Sequence, residues 1–375
     1  METYNDSEVL HAMALASVLP MNYVVQNALL NALGTATAVW EHRHDIRDAV
    51  PEASARLCET VAQMETVLPR CEAELRFAER GRIACIPRTD KRYPQRLLSC
   101  DDAPILLYYR GNADLNTARM VSMVGTRHCT EYGKDLCRRF VGELKELIPE
   151  VVIVSGLAYG IDINAHRAAL AQGIPTIGVL AHGLDQIYPR PHRDTAVEMV
   201  GCGGLLTEYM SHTNADKKNF VARNRIVAGI CDATVVVESA SKGGSLITAR
   251  IAGEYNREVF AYPGRVSDSQ SAGCNMLLQR GEAHLLTSAS DLAAVMGWHT
   301  HVQEMRQRGI QREFFVELTP EEQRIVEALR GSDGKQVNQL CIDAGMSINE
   351  LSSLLFELEM RGVVRLMSGG MYRVL

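Results

Sequence analysis

The sequence predicts an α/β protein built on an extended, Rossmann-like, doubly wound parallel sheet, with a small helical domain before it and a winged-helix domain after it. Three observations carry this reading. Between residues 119 and 297, short Val/Ile-rich runs alternate with amphipathic stretches. The runs are continuously apolar rather than alternating, as expected of parallel strands covered by helices on both faces. Glycine-bearing turns follow several of the runs, where ligands sit in such sheets.

Residues 1–82 are rich in Ala, Leu, Val, Glu and Arg. Their apolar positions are three and four apart (Val9, Leu10, Met13; later Leu57, Val61, Met64, Leu68), which predicts a helical domain. Residues 83–118 change character, with three prolines, a short strand from Ile105 to Tyr109 and a turn at Arg110-Gly111-Asn112. They read as a lead-in segment of the central domain, which spans 83–297 as a whole. Its later strands are expected at 120–125, 151–155, 175–181, 204–208, 234–239 and 258–264, and its helices at 130–148, 160–172, 192–200, 220–230 and 245–256. A linker is expected over 298–316. In 317–375, Thr319 with Glu322 has the spacing of a capping box, and helices follow near 336–344 and 347–361, the latter capped by Ser347. Two short strands about Ser368-Gly369-Gly370 complete a winged helix.

A chain of 375 residues is long enough for two or three cores, and 46% apolar with 22% charged residues is ordinary for a globular protein. No apolar run approaches the roughly 18–20 residues of a membrane helix. The opening METYNDSEVL carries acids where a secretory signal carries Lys or Arg, so a cytoplasmic protein with no membrane partner is expected. None of the ten cysteines forms a CxxC pair, which gives no sign of a zinc or redox site and leaves them as reduced core residues. The net charge of −6 argues against an overall basic nucleic-acid binder. Residues 117–297, however, carry 18 basic and 18 acidic side chains, so a local basic groove is compatible with the total.

The informative residues fall at the strand ends. Gly125-Thr126-Arg127 follows the first run, Ser155-Gly156-Leu157-Ala158 the second, and Glu208 the fourth, before a loop leading to Lys217, Phe220, Asn224 and Arg225. Lys242-Gly243-Gly244-Ser245 follows the fifth. Gly156 and Gly244 with Ser245 would let backbone N–H groups approach a phosphate at a helix N-terminus. Arg127, Lys217 and Arg225 would add charge-assisted bonds, and Phe220 a stacking platform for a base. Taken singly, Arg223 and Arg225 also fit a helix surface, Phe220 a core contact, and Gly-Gly-Ser a plain helix cap. Asp162 and His166, four apart, read as a structural hydrogen-bonded pair rather than a metal or acid–base site, since no third ligand follows. Together these features predict a phosphate-bearing ligand.

These residues resemble the DprA/Smf family, DNA processing protein A. The resemblance rests on GTR with the following YG, SGLAYGID, GIPTIGVL, HGLDQIYP, FVARNRIVAG, GGSLITA and PGR, in the family's order over about 110–290. It implies a SAM-like N-terminal domain, dimerisation through the Rossmann-like domain, single-stranded DNA binding, protection of incoming strands, and loading of the recombinase RecA during natural transformation. Carried over residue by residue, it implies DNA contacts at Gly125, Arg127, Ser155, Gly156, Lys217, Phe220, Asn224, Arg225, Gly244 and Ser245. The chain departs from the family at Thr126 (usually Ser), Val221 (often Pro) and Gly243 (usually Ser), none of which removes a charge or the aromatic ring.

Two other functions fit the sequence less well. Related Rossmann-like nucleotide hydrolases carry PGGxGT followed by a catalytic acid, but here Ile251 stands where the acid would be. No GxGxxG follows a strand, so neither a nicotinamide cofactor nor an enzyme is expected. A winged-helix transcription regulator would need a basic recognition helix, yet the stretch from Ser347 to Glu357 has no Lys or Arg. That module reads as a protein-contact or regulatory element.

Overall fold

The structure, a computed structural model, describes residues 6–148, 150–298, 318–330, 332, 334–367 and 370–374. The expected linker, apart from Trp298, lies outside the described residues, as do Ser368 and Gly369 of the expected wing turn.

The central sheet has nine strands: β1 (Ala84–Pro87), β2 (Leu106–Gly111), β3 (Arg119–Val124), β4 (Val151–Ser155), β5 (Thr176–Val179), β6 (Gly203–Thr207), β7 (Ala233–Val236), β8 (Glu258–Ala261) and β9 (His284–Leu285). Their order is β1-β2-β6-β5-β4-β3-β7-β8-β9, parallel from β6 to β9, with β2 and β1 added antiparallel beyond β6. The lead-in segment therefore supplies two strands where the sequence predicts one. Β1 is short and ends in Pro87, which a strand terminus at a sheet edge tolerates, and that composition hides it in the sequence.

Side-chain alternation explains the continuous apolar runs. Met120, Val124, Val152 and Val154 face one core; Val121, Met123, Val151 and Ile153 face the other. The first face is covered by α11 (Lys217–Gly229), α12 (Gly244–Glu254) and α13 (Ala272–Gln279), the second by α8 (Glu131–Leu147), α9 (Ile161–Ala171) and α14 (Ala289–Met296). Ser122 and Thr234 interrupt the apolar strands, but their hydroxyls satisfy each other at 2.7 Å across the sheet. The chain runs β3-β4-β5-β6 to one side and then crosses back to β7 on the other flank of β3. Β3 and β7 thus form the switch point, and a crevice opens beyond their C-terminal ends.

Before the sheet, six helices between Asp6 and Gly81 bury Met13, Leu15, Leu29, Val39, Val61 and Met64. Leu106 and Tyr108 of β2 join that helical core, while Leu107 and Tyr109 join the sheet's core, so β2 stitches the two together. After the sheet come α15 (Pro320–Leu329), β10 (Lys335–Gln336), α16 (Val337–Ala344), α17 (Ile348–Met360), β11 (Val364–Met367) and β12 (Met371–Val374). The expected capping box of Thr319 with Glu322 forms, and the expected cap Ser347 forms one too, with Glu350. Helix α17 exposes Phe356 (64%) and Met360 (74%). No helix among the described residues is long and apolar enough to cross a membrane.

Candidate functional site

The crevice at the switch point is a cavity of about 610 Å³, lined by the turns after β3, β4 and β7 and by one face of α11. The turn after β3 is held tightly. Thr126 donates its N–H to the Glu238 carbonyl at 2.7 Å, and its carbonyl accepts from Ile161 N–H at 3.2 Å. Gly125 is needed for this approach, because a Cβ there would lie 2.3 Å from Ile161 Cγ1. Arg127 is left exposed, its guanidinium 5.2 Å from the centre of the Phe220 ring. The Phe220 ring also lies 5.8 Å from that of Tyr188, which is itself exposed.

The segment read as a loop around Lys217 is the first turns of α11. Asp216 caps it by accepting the N–H of Asn219 at 2.9 Å. Helical period then decides which side chains reach the cavity. Lys217, Phe220, Val221 and Asn224, spaced three and four apart, line it. Arg225 is one step further round and does not. It is 4% exposed and donates both Nη atoms to the Glu208 carboxylate (2.6 and 2.7 Å) and Nε to the Asp102 carbonyl (2.8 Å). Its guanidinium also stacks 3.5 Å over Tyr23. Burial disfavours that charge, but Glu208 holds it firmly protonated. The expected phosphate contact at Arg225 is corrected: its donors are engaged inside the protein.

Two further expectations change at β4. Ser155 is fully buried, and its hydroxyl donates to the Met123 carbonyl of the neighbouring strand at 2.6 Å, so it does not reach the cavity. Gly156 does line it, but not as a free donor. The Asp162 Oδ2 accepts the N–H of Gly156 at 3.2 Å and that of Ala158 at 3.3 Å. The turn after β4 is thus already occupied by a carboxylate of the chain itself. Burial pushes the Asp162 pKa up, opposed by the Arg223 charge and these N–H groups. Asp162 and His166 are not each other's partners. His166 Nδ1 is bonded to Thr176 Oγ1 at 2.7 Å, and burial, with the nearby Arg223 charge, lowers its pKa to about 3, so it stays neutral.

At the turn after β7, Ser245 is buried with its hydroxyl donated to Ser239 Oγ at 2.8 Å. A Cβ on Gly244 would meet nothing within 4 Å, which leaves open space above the first turn of α12. That helix has no side-chain cap, so its positive end faces the cavity uncovered. The cavity therefore gathers Gly125, Arg127, Gly156, Lys217, Phe220, Asn224, Gly244 and Ser245 and leaves out Ser155 and Arg225. It also includes Arg223, which is not among the site residues expected from the sequence. Its place between Asn219 and Ile226, three and four positions from two inward-facing residues, was the available signal.

Residues 84–297 match the family model of DNA recombination-mediator protein A, and 316–370 that of the DprA winged helix domain. The chain is 42% identical over 205 residues to the DNA processing protein DprA of Streptococcus pneumoniae, covering 55% of this chain and 71% of that protein. It is 32% identical to protein Smf of Escherichia coli over 346 residues, 90% of each. Among solved structures, the DNA processing protein A of S. pneumoniae superimposes with a TM-score of 0.65 at 33% identity, over 78% of this chain and 98% of that one. The structure describing the single-stranded DNA binding mode of the Helicobacter pylori protein does so with a TM-score of 0.52 at 30% identity, over 58% of this chain and 97% of that one.

Proposed function

The chain belongs to the DNA recombination-mediator protein A (DprA/Smf) family, and from that premise we propose that it binds single-stranded DNA at the C-terminal edge of its parallel sheet. One observation carries the reading: two exposed cations, Arg127 and Lys217, and the Phe220 ring line one cavity at the switch point, beside an uncapped helix N-terminus. The cations would hold phosphates and the ring would stack a base, a combination that is tolerant of sequence. Single-stranded DNA binding by the H. pylori relative supports the class of ligand.

The finer reading follows the family resemblance: a cytoplasmic homodimer that protects incoming strands and loads RecA onto them during natural transformation. Its units are the helical domain 1–82, the Rossmann-like domain 83–297, the linker 298–316 and the winged helix 317–375. The site is read as non-catalytic, since Asp162 is engaged by two backbone N–H groups, His166 is sealed from the cavity by burial, and Ile251 stands where a hydrolase would carry its acid.

Fluorescence anisotropy with labelled oligothymidylate tests the assignment. Arg127→Ala and Lys217→Ala are each expected to weaken binding and to reduce the slope of log K against log salt by about 0.7, the loss of one phosphate contact on a single strand. Unchanged affinity and slope in both variants would overturn it.

A further inference from the structure

Arg223 stands apart from every other arginine around the site. Its side chain comes off the sheet-facing side of α11 and is 4% exposed, yet it lines the cavity. Its guanidinium makes no hydrogen bond or ion pair with the described residues, and its Nε is buried without a partner. Asp162, the acid that acts on it electrostatically, directs its Oδ2 to the N–H groups of Gly156 and Ala158 instead. Room for the guanidinium is made by Gly156, where a Cβ would lie 1.6 Å from Nη1 and 2.4 Å from Cζ. The missing side chain at Gly156 is what lets the guanidinium sit in this position, while the N–H of that turn is already given to Asp162.

A buried cation without a bonded counter-charge destabilises the protein that carries it. Arg225, two residues on and equally buried, has a bidentate carboxylate. The same helix thus carries one buried arginine that is satisfied and one that is not, and the unsatisfied one opens on the proposed ligand site. Its planar fork matches a phosphate in geometry and charge.

We propose that Arg223 is a preorganised inner phosphate site, left without an internal partner so that a phosphate of the bound strand completes it. The proposal rests on the strand-binding reading of the cavity and deepens it. Arg127 and Lys217 are hydrated cations at the rim that attract the strand and give up water on contact. Arg223 is already desolvated, so its bond to phosphate carries little fresh desolvation and its geometry is fixed in advance. The consequence is a trade between stability and binding at one residue.

Arg223→Gln and Arg223→Met in the full chain test this, with oligothymidylate binding and the thermal midpoint of the free protein as readouts. Inorganic phosphate serves as a second ligand. Both variants are expected to bind the oligonucleotide at least tenfold more weakly while melting at or above the wild-type temperature. Millimolar phosphate should raise the wild-type midpoint and leave the variants' midpoints unmoved. Wild-type affinity in the variants would overturn the proposal, as would a lowered midpoint or failure to fold, since either would mark Arg223 as a satisfied structural cation. If phosphate stabilises the wild type through Arg223 but no oligonucleotide binds, the inner anion site stands and the strand-binding reading falls.

Discussion

Three arginines of the site show how far one residue type can diverge over a few ångströms. Arg127 is exposed on a turn, Arg223 is buried without a partner, and Arg225 is buried in a bidentate pair with Glu208. Removing half of a buried pair leaves the other charge uncompensated. Arg225→Ala is therefore expected to destabilise the fold by about 3–5 kcal/mol. A urea titration would read this as a lower midpoint at unchanged slope, whereas a midpoint equal to wild type would show that Glu208 does not depend on it. The charges and the ring of the site were legible in the sequence, because Arg, Lys and Phe are conspicuous beside strand ends. Their division into rim and interior was not, since Glu208 and the Asp102 carbonyl reach Arg225 from 17 and 123 residues away.

At the scale of elements, what was legible was local. The capping box at Thr319 and the cap at Ser347 form as expected, because their bonds close within four residues. Helix α11 was misread at its start, where the polar KKN run resembles a loop; the Asp216 cap begins the helix three residues before Phe220. That cap sets the orientation of the cavity-lining face. Asp216→Ala is expected to lower stability by about 1 kcal/mol and to weaken oligothymidylate binding as the first turn frays, while Asp216→Asn retains the cap and both properties. Equal behaviour of the two variants, measured by urea unfolding and anisotropy, would remove the cap from the account. Strands β1 and β9 escaped the sequence reading, since four residues ending in Pro87 and the pair His284–Leu285 carry too little pattern to register.

For the whole molecule, the order of the strands decides where the site is. The turns after β3, β4 and β7 come from residues far apart in sequence and meet only because β7 returns to the flank of β3. Homodimerisation, proposed above, belongs to this scale. Light scattering at micromolar concentration is expected to give twice the chain mass of 41.4 kDa, and a monomer mass would count against a dimeric strand binder.

The sequence by itself determined the fold class, the doubly wound order of its elements, the helix caps and the sheet edge where a phosphate-bearing ligand belongs. These follow from side-chain period and from bonds closed within a few residues, which the linear order contains. Only the tertiary structure decided which groups at that edge are free. Asp162 occupies the turn after β4, Glu208 engages Arg225, Met123 takes the Ser155 hydroxyl, and Gly156 makes space for Arg223 from 67 positions away. Whether a charge is available to a ligand depends on what else lies within hydrogen-bond reach in three dimensions, and that is set by packing rather than by the neighbours in sequence.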